Sequence, residues 1–341
     1  MKIEKDINVK EFTTFRIGGN AQFFCTVSNE PELIEAVTFA KEHKLPIFVL
    51  GGGSNILVSD KGIRGLVIRM EIMGIEMASD TFGKIRVTAH AGENWDAFVG
   101  KVVEEGLYGL ENLSYIPGTV GAAPVQNIGA YGSEVKDSVE IVRAYDLKDG
   151  EFKTFTNFDC QFEYRDSLFK REGGRYIITS VDFLLSKDGK VNTEYRDIRD
   201  YFAEQKNENP TLQDVRKAVI EIRKRKLPDV KEWGTAGSFF KNQILPIGVV
   251  DDLKAKHPGL PVYPVDHARA KISLAWIIDK VCGYKGVAKG DVGTYKNQAL
   301  VLVNNGNATG EEILFFANEI KKLIKEKTGV DAEFEVQLVG F

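Results

Sequence analysis

The chain has 341 residues, 43% of them hydrophobic and 28% charged, and a formal net charge of −4. This length allows two or three domains with cores of ordinary size, and the acidic balance excludes a general nucleic-acid binder. Cys25, Cys160 and Cys282 lie far apart with no metal-ligand spacing. They therefore read as reduced core thiols, and no metal site is expected.

In chain order, Asn29-Glu30-Pro31 predicts a helix start, with Leu33, Ile34, Val37 and Ala40 at helical spacing and an end near His43. Short strands are predicted at 46–50, 56–59, 65–69 and 84–91, and a helix at 94–105. Strands near 139–146 and 175–185 follow. Thr211 predicts a capped helix over 212–226 that stops at Pro228. Beyond it the spacing predicts a helix over 274–281, a strand over 299–303, a helix over 310–328 and a final strand over 332–339. The mixture is α+β, without a clean βαβ repeat. The N-terminal MKIEKDINVKEF has no apolar leader, and no apolar run reaches the roughly 18 residues of a membrane span. The expectation is a cytoplasmic protein without a membrane partner.

Two glycine-rich segments stand out. Leu50–Asn55 (LGGGSN) follows a strand, where glycines let backbone N–H groups approach a phosphate and Ser54 and Asn55 add donors. A strand rather than a helix follows, so it is neither a dinucleotide fingerprint nor a P-loop. Alone it reads equally as a hairpin turn. Ile116–Gly132 (IPGTVGAAPVQNIGAYG) is long, rich in glycine and alanine and poor in side chains. Loops of this length are usually functional, although a buried Ω-loop is the structural alternative. Together the two suggest an extended cofactor with a pyrophosphate.

Other candidates are scattered. Arg165, in Tyr164-Arg165-Asp166-Ser167, offers a planar fork for a carboxylate or phosphate, and reads equally as half of an ion pair. Ser238 sits among small residues in GTAGSFFKN with no nucleophile elbow, so it is a proton donor, a substrate ligand or simply a turn serine. Glu333 and Glu335 are two apart on a predicted strand, hence on one face. Lys226 closes a basic helix end, where cations suit the dipole.

These motifs in this order resemble the UDP-N-acetylenolpyruvoylglucosamine reductase family. The matching stretches are TFRIGG (14–19), LGGGSN (50–55), AGENW (91–95), GLENLSYIPGTVGAAPVQNIGAYG (109–132), YRDS (164–167), KLPD (226–229), AGSFFKN (236–242), NQALVLVN (297–304) and EFEV (333–336). Tyr195, in NTEYRDI, matches a tyrosine of the family's longer branch (type I) that closes over the substrate.

The resemblance implies a noncovalent FAD in a domain of the vanillyl-alcohol-oxidase (PCMH) type over 14–187, and a C-terminal substrate-binding domain over 210–341. It implies NADPH as co-substrate and reduction of UDP-N-acetylglucosamine enolpyruvate to UDP-N-acetylmuramate, a step of peptidoglycan precursor synthesis. Hydride would come from flavin N5 and the proton from Ser238, with Arg165 and Glu335 stabilising the carboxylate. It places substrate contacts at Tyr131, Tyr195, Lys226, Asn242 and Gln298. Cofactor contacts fall on Gly51, Gly52, Gly53, Ser54 and Asn55 in the first loop. In the second they fall on Pro117, Gly118, Thr119, Gly121, Ala122, Gln126, Asn127, Gly129, Ala130 and Gly132. Two departures matter: Ala122-Ala123 stand where some relatives have serines, and Phe334 replaces a common proline beside Glu335. The expected state is a monomer. The rival readings are another oxidase of the same flavin fold, and a nucleotide-sugar binding protein without turnover.

Overall fold

The computed structural model describes residues 1–80 and 83–341. The chain divides into two compact units, the first of Met1–Ile7, Ala21–Gly52 and Arg64–Lys224, the second of Asn8–Asn20, Gly53–Ile63 and Arg225–Phe341.

The first unit holds two principal sheets. One has the order Glu4–Asn8, Asn20–Val27, Ile63–Met70, Ile47–Leu50, the last two parallel with Leu50 opposite Arg69. The other is antiparallel, in the order Glu151–Thr156, Val139–Asp146, Tyr176–Ser186, Lys84–His90, Ile75–Ser79. The helix Glu30–Glu42 starts where Asn29 accepts from the Glu32 amide, with Pro31 in its first turn, and buries Leu33, Ala36, Val37 and Ala40. The helix Trp95–Glu104, capped by Asn94, buries Trp95, Phe98, Val99, Val102 and Val103. Its Trp95 and Phe98 pack with Phe183 of the antiparallel sheet, ring centroids 5.0–6.0 Å apart. The helix Leu212–Lys226 presents Val215, Ala218, Val219 and Ile222 to Ile198, Tyr201 and Phe202 of the helix Arg196–Gln205.

The second unit is built around Phe15, Leu57, Phe239, Phe240, Ile272, Leu302 and the helix Gly310–Thr328. That helix begins in a Thr309–Glu312 capping box and ends at left-handed Gly329, φ 75°. The strand Gln298–Asn304 pairs antiparallel with Val292–Tyr295, and Gln337–Val339 pairs parallel with Ile56–Val58.

Most predicted elements are present within a residue or two, but two differ in kind. The expected helix over 274–281 is one α turn, Leu274–Trp276, followed by a π-helix, Ile277–Val281, in which the Cys282 amide reaches back to the Ile277 carbonyl at 2.9 Å. The expected strand over 332–339 is regular only at Gln337–Val339. Phe334 makes a separate antiparallel bridge to Phe240, so the chain changes partner in between and no continuous ladder forms. The helices Arg196–Gln205 and Ile247–Lys256 are not marked in the sequence. Both start without a side-chain cap and bury only three and two residues respectively.

Candidate active site

In the first unit the two glycine-rich loops meet backbone to backbone. A Cβ on Gly52 would lie 2.7 Å from the Gly118 Cα, and one on Gly51 would lie 2.7 Å from the Thr119 hydroxyl. Gly118 has φ 125°, a region that favours glycine. The second loop is fastened to AGENW: Trp95 donates to the Gly118 carbonyl at 3.1 Å, Val120 to Glu93 at 2.9 Å and Gly121 to Ala91 at 3.0 Å. Val120 and Ala123 are buried in the core. Among the described residues, the amides of Gly52, Gly118 and Thr119 donate to no protein acceptor. Together these loops make a strip of backbone donors without side chains, and its chemistry fits the pyrophosphate of FAD.

Further along, the second loop is itself held in place by side-chain contacts. Asn127 is fully buried. Its Nδ2 donates to Glu134 and to the Glu163 carbonyl, both at 2.9 Å, and its Oδ1 accepts from the Lys136 amide at 3.2 Å. The whole side chain is thus committed to protein partners, so it supports the loop from behind. Gly129 is close-packed on Arg165: a Cβ there would lie 2.9 Å from Nη1, and its carbonyl accepts from Nη2 at 2.6 Å.

Arg165 occupies a tight turn closed by Glu163 and Asp166, whose backbones exchange bonds of 3.0 and 3.2 Å. Its φ is 56°. The neighbouring Asp166 pairs with Arg171 at 2.8 Å. Tyr115, Asn127, Tyr131 and Arg165 all hold positive φ without being glycine, between 44° and 59°. Such backbone costs of order 1 kcal/mol or more per residue and clusters at working sites.

Tyr131 is half-buried and meets Tyr195 edge to face, ring centroids 5.4 Å apart. Burial pushes its phenol up to about 12, against the pull of the Arg223 guanidinium. The same desolvation lowers Arg223, which donates to the Tyr115 carbonyl at 3.0 Å. Tyr131 therefore stays a neutral donor at working pH.

The second unit gathers Gly53–Asn55, Ser238, Asn242, Gln298 and Glu335. The Gly53 carbonyl accepts from Thr14 at 3.1 Å, and the Thr14 hydroxyl reaches the Thr235 carbonyl at 2.6 Å. Thr235 in turn donates to Leu302 at 2.8 Å and accepts from Gly237 at 3.2 Å, which shapes the turn before Ser238. Ser238 bridges Val301, and Phe239 donates to Leu300 at 2.8 Å. On the other side, Lys241 donates to the Glu333 carbonyl at 3.2 Å and Glu335 to the Phe239 carbonyl at 2.8 Å. The Asn55 amide group also donates to the Glu335 carbonyl at 3.2 Å, across 280 residues of sequence. Ser238 and Glu335 are thus set on adjacent strands, both half-buried. Asn242 accepts from Leu274 at 2.9 Å, and Gln298 accepts from Leu300 at 3.3 Å. Lys226 is exposed at the end of its helix.

Comparison with known proteins gives the family. An FAD binding domain model matches residues 21–156, and the model for the C-terminal domain of UDP-N-acetylenolpyruvoylglucosamine reductase matches residues 229–339. A reductase of that name from Pseudomonas fluorescens (strain Pf-5) is 43% identical over 338 residues, 99% of each chain. The chain belongs to the UDP-N-acetylenolpyruvoylglucosamine reductase family. The reductase of Flavobacterium johnsoniae is 43% identical, covering 99% of this chain and 100% of its own. The crystal structure of the Thermus caldophilus reductase matches with a TM-score of 0.68 at 26% identity, over 99% of both chains.

Members of the reductase family are FAD-dependent oxidoreductases, and this chain is one. Its fold is the expected α+β arrangement of an FAD-binding domain of the vanillyl-alcohol-oxidase (PCMH) type with the family's C-terminal domain. No described helix is long and apolar enough to cross a membrane. The residues that sequence reading missed are the supports: Thr14, Thr235, Asn112 and Arg223. Each lies in or beside a glycine-rich or basic motif, and that proximity was the only available signal.

Proposed function

We propose that this chain reduces UDP-N-acetylglucosamine enolpyruvate to UDP-N-acetylmuramate with NADPH as electron source, binding FAD noncovalently. The observation that carries the reading is the pairing of Ser238 and Glu335 on adjacent strands of one unit, in a chain 43% identical to reductases of this name. FAD, when bound, supplies the hydride chemistry between the two substrates. The substrate double bond is conjugated to a carboxylate, so negative charge builds on that carboxylate as the terminal carbon is reduced.

Arg165 answers that charge with a cation whose plane is fixed by the Gly129 carbonyl. One preorganised donor of this kind is worth roughly 2.7–4 kcal/mol. Ser238 gives the proton to the adjacent carbon without bringing a charge into a dry site. Glu335, anchored through its own amide and carbonyl, orients the carboxylate's surroundings rather than opposing it. Tyr131, Tyr195, Lys226, Asn242 and Gln298 hold the nucleotide sugar in this reading, and the loops 51–55 and 117–132 hold the cofactor.

The test is a pair of anaerobic half-reactions. NADPH should bleach the flavin, and the enolpyruvyl nucleotide sugar should restore its colour. Reduced flavin that oxygen reoxidises but the nucleotide sugar does not would refute the proposal and point to an oxidase.

A further inference from the structure

Asn112 lies in the short turn Glu111–Leu113 and is 1% exposed. Its single amide nitrogen donates two bonds, to the Tyr131 carbonyl at 2.9 Å and to the Asn192 carbonyl at 3.0 Å. Its Oδ1 is buried with no partner. A buried orphan acceptor is unfavourable, so the residue is explained by its donor side. Those two carbonyls belong to the two segments that carry Tyr131 and Tyr195.

Two further contacts join the same segments, a long bond of 3.5 Å from Asn192 Nδ2 to the Gly132 carbonyl and the edge-to-face meeting of the Tyr131 and Tyr195 rings. Tyr195 begins the helix Arg196–Gln205, its carbonyl accepting from Ile198 and Arg199, both at 3.0 Å. That helix is packed through Ile198, Tyr201 and Phe202, and both Tyr131 and Val191 rest on the same cluster. Between Ser186 and the helix the chain is irregular, with Lys187 and Lys190 exposed. Tyr131 itself has φ 49°, a conformation that a tyrosine leaves readily unless held.

We propose that Asn112 is a positioning residue for substrate binding, a clamp that fixes Tyr131 and the 187–195 segment in the mutual geometry that grips the nucleotide sugar. This rests on the reductase reading above. The clamp acts on substrate affinity rather than on flavin reduction, because it meets the second glycine loop only at the Tyr131 carbonyl, near the loop's end, and bonds neither Leu50–Asn55 nor Arg165.

The experiment compares wild type with Asn112→Ala, both as flavin-loaded full chains. The KM for the enolpyruvyl nucleotide sugar should rise about tenfold, the loss expected of two hydrogen bonds. The single-turnover rate of flavin reduction by NADPH should stay within about twofold of wild type, less than the effect of one hydrogen bond. Trypsin should cut after Lys190 faster, with cutting after Lys254 unchanged. Unchanged KM and unchanged cutting after Lys190 would overturn the clamp.

Should the alanine variant not fold, Asn112→Asp keeps the shape and removes both N–H donors. Burial against two carbonyls raises the new carboxyl, so the variant's KM relative to wild type should be largest at high pH and fall towards unity as the pH is lowered and the protonated carboxyl regains one donor. A ratio independent of pH would refute the clamp. If wild-type enzyme does not use the nucleotide sugar at all, the reductase reading fails, and cutting after Lys190 still decides the clamp.

Discussion

The Glu335 amide donates to the Phe239 carbonyl at 2.8 Å, so the residue after Phe334 is tied to the residue after Ser238. With the Lys241-to-Glu333 bond, this makes Phe240 and Phe334 a non-hydrogen-bonded antiparallel pair. Side chains in such a pair stand close, and the Phe334 ring packs on Phe240 at 5.4 Å and on Phe239 at 5.1 Å. The Lys321 ammonium covers the same ring at 5.4 Å. The Phe334 amide has no part in the ladder, so a proline at this position would remove none of its bonds.

Removing the ring should loosen Ser238 and Glu335, the two proposed catalytic residues, together. Phe334→Ala is expected to cost about 2 kcal/mol in stability, less than for a fully buried phenylalanine. It should slow oxidation of the reduced flavin by substrate about 10- to 100-fold through misplacement. Phe334→Pro should unfold no earlier than Phe334→Ala in a thermal melt. A proline variant well below the alanine variant would show that the amide matters after all.

Ser238→Ala should leave NADPH reduction of the flavin intact and slow the second half-reaction about 10²–10⁴-fold, the span of general acid catalysis. Stopped-flow absorbance of the flavin reads both steps. Reoxidation at the wild-type rate would remove Ser238 from the proton-transfer role.

Away from the site, Asp146 is fully buried at the end of an inner strand of the antiparallel sheet, between Glu151 and Tyr176. It receives Arg175 at 2.8 Å and Lys153 at 3.0 Å. The Arg175 hydrogen bond, then that of Lys153, holds its carboxyl well below the usual range. A depressed acid stabilises the fold above its unfolded pKa of about 3.9, and that stability is lost as pH falls through the folded value. Acid unfolding of wild type should therefore steepen below about pH 4. Asp146→Asn should be less stable at neutral pH and flatter in that acid range, as read by denaturant melts at each pH.

The flavin should be released completely by acid precipitation. Gly51–Asn55 and Ile116–Gly132 contain no histidine or cysteine to hold it covalently. Yellow colour retained in the washed pellet would contradict this.

Much of the fold was legible because its signals are local. Asn29 with Pro31, Asn94, and Thr309 with Glu312 each announce a helix through bonds made within one turn. The final strand misled because alternation over 332–339 reports which faces are buried and says nothing about which strand is the partner. There the partner changes from Phe240 to Ile56–Val58 within a few residues. The π-helix at Ile277–Val281 was hidden for a related reason, since its apolar spacing passes for α-helix until the Cys282 amide selects Ile277.

By itself, the sequence determined the family and the cofactor and nominated Arg165, Ser238 and Glu335 as the reacting side chains, because motif chemistry resides in residue types and short spacings. The tertiary structure decided what holds those side chains still. Asn55 reaching Glu335, Gly129 anchoring Arg165, and Asn112 joining the Tyr131 and Asn192 carbonyls are contacts across 280, 36 and up to 80 residues. Bonds to backbone carbonyls carry no signature in the acceptor's side chain, so only the folded chain reveals them.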